Sequence, residues 1–324
     1  MLTDRALGVS LPRNLPADRI IDFARDAERH GFHELWIVED CFFRGGVAQA
    51  AVALAVTSSI HVGVGILPAA ARNAAFVTLE ANTLAELFPG RVTIGIGHGM
   101  PGWMRQVGAW PASPLTMLEE TVGAMHALLA GESVSVEGRY VRLRDVELES
   151  PALVPPLVLA GVRGPKSLAV AGRVADGTVL AEPVTPEYLA AVQRQIAASR
   201  PHRIVAYNIA AVHPDVSVAR DLARTRLDWS GEPDGRVHIE PLPFADEFFA
   251  LRESVDSPQA FAAALPDEWV DQLAVVGTVE TARARLDELW AAGAHRVVLI
   301  PAGDDPFHAL RSLAALLNEK TPVE

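Results

Sequence analysis

Short, apolar, β-branched runs alternate with longer stretches of helical period along almost the whole chain, and this rhythm restricts the fold more than any other feature. The runs begin near residues 6 (ALGVS), 34 (ELWIVE), 61 (HVGVGIL), 91 (RVTIGIG), 157 (LVLAGV), 177 (GTVLA), 203 (RIVAYNIAAV) and 296 (RVVLI). Successive starts lie 28, 27, 30, 66, 20, 26 and 93 residues apart, so most steps hold one strand and one helix, and two carry insertions. The runs are apolar on both faces, as in a parallel sheet covered by helices. Eight such units in 324 residues predict an α/β fold, a (β/α)8 TIM barrel with insertions. Strand count alone leaves an open, doubly wound sheet as the alternative. Residues 1–324 read as one domain, large enough to bury about 75% of its extended surface.

Between the runs, Ile20, Phe23, Ala24 and Ala27, and then Val77, Ala81, Leu84, Ala85 and Phe88, fall on single helix faces. Ser113-Pro114, Thr185-Pro186, Ser257-Pro258 and Asp305-Pro306 each place a capping residue before a proline, which marks a helix start. The first insertion, at about 131–156, alternates polar and apolar residues from 132 to 150 and predicts a β-hairpin over a barrel end. The second, at about 230–272, is rich in Pro and Asp, carries Trp269, Phe248 and Phe249, follows Trp229, and reads as an irregular lid. The run LAVVG at 273–277 leads straight into a helix and is taken as its entry segment.

Charge and cysteine content narrow the partners. With 28 Lys+Arg against 40 Asp+Glu the net charge is -12, which disfavours nucleic acid and anionic membrane surfaces. The lone Cys41 excludes an internal disulfide framework and any multi-thiolate metal site, and His30 and His33 straddle a glycine at a helix end, so no metal site is expected. The first residues, MLTDRALGVSLPRN, lack an apolar signal core, and no stretch reaches the ~20 apolar residues of a bilayer span. A cytoplasmic protein acting on a small-molecule substrate is the expectation.

Three glycine-rich strand ends could carry chemistry. Gly97-His98-Gly99-Met100-Pro101-Gly102 spells a dinucleotide fingerprint, but Pro101 and Pro111 interrupt it, the helix is expected near Pro114, and no acidic residue closes a following strand. Gly63-Val64-Gly65-Ile66-Leu67-Pro68 marks a bulge or a close ligand contact. Gly161-Val162-Arg163-Gly164 runs into a helix at Pro165 with Lys166 in its first turn. Free N–H groups and two cationic side chains there suit a ligand phosphate, the plain alternative being an ordinary solvated turn. Because barrel sites lie at strand C-termini, the candidates are Ser10, Glu39, Asp40, Cys41, Ile66, Pro68, His98, Arg163, Glu182 and Asn208. His98 is the candidate acid or hydrogen-bond donor. One of Glu39 and Asp40 could equally cap the next helix, and Cys41 could be inert.

The chain resembles the luciferase-like monooxygenase superfamily, and within it the branch that uses the deazaflavin coenzyme F-420, including methylenetetrahydromethanopterin reductase. Nearly the whole chain is covered. The carriers are Gly31-Phe32 with Leu35-Trp36-Ile37-Val38-Glu39-Asp40, Gly63-Val64-Gly65 with Arg72-Asn73, and Phe88-Pro89-Gly90-Arg91 leading to Gly95-Ile96-Gly97. They continue through Glu137-Gly138-Arg139-Tyr140, Arg163-Gly164-Pro165-Lys166, Ala171-Gly172, Ala175-Asp176-Gly177 and Val276-Gly277-Thr278. The resemblance implies a bacterial luciferase-like barrel, a homodimer, and a flavin or deazaflavin at the C-terminal mouth. It implies a non-prolyl cis peptide at Gly65-Ile66 behind the ring and coenzyme phosphate on Val162, Arg163, Gly164, Pro165 and Lys166. Asp40, Gly65, Ile66, Gly97, His98 and Glu182 complete the expected cofactor contacts. Where the superfamily commonly has His after the second-strand Asp, this chain has Cys41, and Met100 replaces an acidic residue past the fourth strand. The expected catalytic residues are therefore His98 and Cys41. The implied activity is hydride transfer between F-420 and a small organic acceptor. The alternatives are an FMN-dependent two-component monooxygenase and a non-catalytic flavin-binding barrel.

Overall fold

The computed structural model describes residues 5–317, so Met1–Asp4 of the N-terminal stretch read above lie outside it. Its strands are β1 (Ala6–Ser10), β2 (Glu34–Ile37), β3 (His61–Pro68), β4 (Val92–Gly97), β5 (Val134–Glu137), β6 (Arg142–Val146), β7 (Leu157–Gly161), β8 (Gly177–Leu180), β9 (Arg203–Val212), β10 (Val275–Gly277) and β11 (Arg296–Pro301). The helices are α1 (Ile20–Arg29), α2 (Gly46–Val56), α3 (Ala74–Leu87), α4 (Pro101–Gln106), α5 (Pro114–Leu129), α6 (Pro165–Val174) and α7 (Pro186–Ile196). They continue as α8 (Val216–Arg224), α9 (Arg236–Ile239), α10 (Ala245–Glu253), α11 (Pro258–Ala264), α12 (Asp267–Leu273), α13 (Val279–Ala291) and α14 (Pro306–Ala314).

Eight parallel strands, in the order β11-β1-β2-β3-β4-β7-β8-β9, close on themselves where β9 pairs with β11. These are the eight runs read from the sequence, and closure excludes the open sheet. Each strand is apolar on both sides because each side meets a different core. Outward residues such as Val9, Leu35, Val62, Ile94 and Val158 pack under the helices. Inward residues Trp36, Leu159, Val179, Val205, Tyr207 and Val298 fill the barrel. Beneath them Glu34 and Arg296, 3% and 1% exposed, form an ion pair at 2.7 Å, and the second Glu34 oxygen accepts the Trp36 indole N–H at 2.7 Å.

The helix starts follow the sequence with one difference. Thr185, Ser257 and Asp305 accept backbone N–H groups of the helices they open. Ser113 makes no such bond: its own N–H donates to the Tyr140 hydroxyl and its hydroxyl pairs with that of Thr116. That bond belongs to the hairpin β5–β6, whose turn is held by three backbone N–H groups, of Arg139, Tyr140 and Val141, donating to Glu120 of α5. Val134, Val141 and Leu143 pack on Ala74, Ala124 and Leu128, so the hairpin lies along the flank of α3 and α5 and does not cover a barrel end.

Three further expectations are corrected. The second insertion is a set of short helices, α9 to α12, around a core shared with α8 and the end of β9, in which Phe248 and Phe261 meet edge to face at 5.0 Å. Burying two phenyl rings stabilises helical packing that its Pro and Asp content conceals. Val275–Gly277 is a strand that extends the sheet beside the projecting end of β9, at Ala210–Val212. A short helix, α4, starts at Pro101 directly after β4, because proline occupies a first helical position without losing a needed donor. Among the described residues no helix is long and apolar enough to cross a membrane.

Candidate active site

The C-terminal mouth is built upward from Trp36. Its indole occupies the barrel centre only because the facing strands carry no side chains there. A β-carbon at Gly63 would lie 2.5 Å from the ring, and one at Gly8 or Gly65 would lie 3.2 or 3.1 Å from it. Tyr207 meets the indole edge to face, with centroids 5.9 Å apart. On this pair rest the half-buried side chains of Val38, Ile66 and Ile300, which form an apolar floor across the mouth.

Ile66 reaches the floor through a register shift in β3 between Val64 and Leu67. The Gly65-Ile66 peptide is cis, as the resemblance implied, and so are Cys41-Phe42 and Glu182-Pro183. The side chain of Ile66 then covers the strand ends opposite. A β-carbon at Gly161 would stand 2.2 Å from Ile66 Cγ2, one at Gly95 2.9 Å from it, and one at Gly97 3.1 Å from Cδ1. The space beside these glycines is thus filled by Ile66, and a ligand at the mouth meets that isoleucine and not bare backbone.

The rim carries the charges. Asp40 is paired with Arg13 at 2.6 Å, tying the loop after β1 to the loop after β2. Glu39 points away from the mouth: it receives Arg72 through both oxygens, at 2.5 and 2.7 Å, and caps α2 by accepting the Gly46 N–H at 2.7 Å. Burial, and then the Glu39 and Asp40 carboxylates, push the Cys41 thiol up, so it stays protonated. His98 follows β4, with Nε2 3.0 Å from Ser167 Oγ in the first turn of α6, and the Pro114 carbonyl accepts from its ring. Burial pushes its pKa down, so the imidazole is neutral and joins the starts of α5 and α6.

At the end of β7 the sequence-derived phosphate candidates sit together. Val162 is buried, and Gly164 opens α6 without a side-chain cap, leaving first-turn N–H groups available beside exposed Lys166. Arg163 leans toward the second insertion, donating to the Asp234 carbonyl at 3.1 Å and lying 5.9 Å over Trp229. The Arg163 carbonyl in turn accepts from the Tyr188 hydroxyl at 3.1 Å. His238, fully buried, anchors the same insertion to the carbonyl of Pro183 at 3.1 Å, and burial pushes its pKa down to about 3.

Glu182 stands between these groups. Burial pushes its carboxyl up, Arg163 and Arg226 oppose the shift, and Asp40 adds to it. A groove of about 560 Å³ opens beside the mouth, lined by Pro12, Asn14, Asp221, Arg226, Pro301 and Asp304 among others. Ser10 is buried at the end of β1 and Pro68 at the end of β3. Asn208 lies within β9, and its Oδ1 accepts the Val184 N–H at 3.0 Å. Sequence reasoning missed Tyr207, Val38 and Ile300 as parts of the floor. The inward parity of Tyr207, one residue from Asn208 and two from Val205 on an apolar strand, was the available signal. Among the described residues no group of three or more His, Cys, Asp or Glu side chains is arranged to hold a metal.

Residues 2–296 match the model of the luciferase-like monooxygenase family. The chain belongs to that family. It is 27% identical to a 5,10-methylenetetrahydromethanopterin reductase of Methanolobus tindarius, over 94% of this chain and 97% of that one. Among solved structures, the coenzyme F-420 dependent tetrahydromethanopterin reductase of Methanopyrus kandleri superposes with a TM-score of 0.82, at 21% identity, over 96% of this chain and 97% of that one. An F-420-dependent secondary alcohol dehydrogenase, solved with an F-420–acetone adduct, gives 0.77 at 20% identity, over 96% and 99%.

The raised carboxyl of Glu182 has a consequence for stability. A carboxyl whose pKa is higher folded than unfolded makes the native state bind more protons, so its contribution is complete below the unfolded value of about 4.5 and is lost as pH rises through the folded one. Glu182→Gln removes that loss. Urea unfolding of the protein without ligand at pH 4.5 and pH 8 is expected to give a variant similar to wild type at the lower pH and more stable at the higher. Equal differences at both pH values would contradict the raised pKa.

Proposed function

We propose that the protein is an oxidoreductase that uses coenzyme F-420 and moves a hydride between it and a small organic acceptor. The observation that carries this reading is the apolar floor of Val38, Ile66 and Ile300 over Trp36 and Tyr207, at the end of a barrel whose loops also carry Asp40, Arg163 and Glu182. Such a floor suits a planar heterocycle. The likeness to the Methanolobus tindarius reductase along 94% of the chain supports F-420 over FMN as its occupant.

When bound, coenzyme F-420 supplies a two-electron hydride donor or acceptor. The protein supplies orientation, exclusion of water and a proton. Ile66, with Gly65 behind it, would support the ring on its buried side. Val162, Arg163, Gly164, Pro165 and Lys166, with the free N–H groups of α6, would hold the phosphorylated arm. His98 would keep this turn in place through Ser167, and Gly97 would keep β4 clear of Ile66. Asp40, held by Arg13, and Glu182 bound the floor. A carboxyl pushed up by burial keeps its proton closer to neutral pH, so Glu182 is suited to protonate an acceptor that has received a hydride. The protonated Cys41 thiol adds a weak donor on the opposite rim. The groove lined by Asn14, Asp221, Arg226 and Asp304 offers the acceptor a polar approach.

We also propose that the protein works in the cytoplasm as a homodimer. Phe76, Leu79 and Leu87 form an exposed apolar stripe along α3, 67%, 50% and 66% exposed, and Val52 adds to it from the adjacent α2. Large apolar side chains exposed along one helix fit a second copy of the same chain.

Two measurements test these readings. Fluorescence titration is expected to show F-420 binding at least tenfold tighter than FMN. In the double variant Arg163→Ala, Lys166→Ala, affinity for F-420 should fall roughly tenfold or more, with little change for the deazaflavin core that lacks the phosphorylated arm. Tight FMN binding with none of F-420 would overturn the cofactor reading. In size-exclusion chromatography with light scattering, wild type should elute as a dimer and Phe76→Glu, Leu87→Glu as a monomer; a monomeric wild type would exclude the proposed assembly.

A further inference from the structure

Arg163 is held twice, once by its backbone and once by its side chain, and neither hold comes from its own turn. The Tyr188 hydroxyl, from the first turn of α7, donates to the Arg163 carbonyl at 3.1 Å. Tyr188 is 2% exposed, with its ring 4.5 Å from that of His238, and burial pushes its pKa up, so the phenol keeps its proton and donates it in this bond. The Arg163-Gly164 peptide is trans, and the carbonyl and N–H of a planar trans peptide point to opposite sides. A hydroxyl that fixes the carbonyl therefore also aims the Gly164 N–H, which donates to no group among the described residues.

The guanidinium is held from the entry to the second insertion. Trp229 lies against its face, with the guanidinium carbon 5.9 Å from the ring centroid, and the Asp234 carbonyl accepts one N–H at 3.1 Å. Trp229 is set in turn by the His238 ring, edge on at 6.2 Å, and His238 is tied to the Pro183 carbonyl at 3.1 Å. A guanidinium carries five N–H donors in one plane, so a stacked face and a single carbonyl leave donors free on its edges. We propose that Tyr188 and Trp229 are positioning residues: Tyr188 aims the Gly164 N–H and Trp229 orients the Arg163 guanidinium, so that both meet the phosphorylated arm of the coenzyme at the start of α6. This rests on the cofactor reading above and adds to it two residues, on α7 and at the second insertion, that act through Arg163.

The test is a double-mutant cycle in the full chain, read by affinity for F-420 and for the deazaflavin core without the phosphorylated arm. Tyr188→Phe and Trp229→Leu should each weaken F-420 binding roughly threefold to tenfold and leave core binding unchanged. Trp229→Phe restores a stacking face and should recover most of the loss. In an Arg163→Ala background Trp229→Leu should cost nothing further, because its effect passes through the guanidinium, whereas Tyr188→Phe should still cost affinity through the peptide. If wild type binds F-420 and each variant binds it as well, or if F-420 and the core lose affinity equally, the inference falls and the cofactor reading stands. An undiminished loss from Trp229→Leu in the Arg163→Ala background would overturn it too, as would tighter binding by Trp229→Leu, since the stack would then be holding the arginine off the ligand. If wild type binds neither form of the deazaflavin, both fall together.

Discussion

An indole held inside a closed eight-stranded barrel leaves little freedom to its neighbours. Trp36 fits because Gly8, Gly63 and Gly65 carry no side chains where they face it, and it stays upright because its N–H donates to Glu34, which is itself fixed by Arg296. A buried ion pair of this kind adds little net stability, yet losing one partner leaves an uncompensated charge and costs about 3–5 kcal/mol. Its value here is positional. The pair sets the height of the indole, the indole sets the height of Tyr207 and the bulge, and these carry the floor on which the site is built.

Above the floor, the electrostatics divide the mouth into two regions. On one side the turn after β7 gathers Arg163, Lys166 and unpaired helix N–H groups, a region for anions. On the far side Asp40 borders the apolar surface, while Glu182, next to Arg163, is held toward its neutral form by burial. A coenzyme with a flat redox ring and a phosphorylated arm matches this division, and membership of the luciferase-like monooxygenase family places the chain among barrels of this design. The overall charge of -12 does not oppose an anionic ligand, because the nearest charges to the turn are cationic.

The barrel was legible in the sequence because strands buried on both faces leave uninterrupted apolar runs, and the spacing of those runs fixes one helix between most of them. The turn at residues 161–166 was legible because glycine, proline and cation at a strand-to-helix junction have few structural uses. Other parts were hidden for physical reasons. Gly97, expected to touch the cofactor, instead faces Ile66, and only the bulge in β3 reveals this. The second insertion looked irregular because its helices are short and each is stabilised by tertiary contacts of Phe248 and Phe261 more than by its own periodicity. Tyr207 was passed over because one aromatic in an apolar strand looks like any core residue until its hydroxyl is found without a partner.

The position of a bound ring is the central point, and a crystal structure of the protein soaked with coenzyme F-420 shows it directly. The ring is expected in van der Waals contact with Val38, Ile66 and Ile300, with its phosphate against Val162 to Lys166. Ring density in the groove between Asn14, Asp221 and Asp304 instead, with the floor left bare, would contradict it.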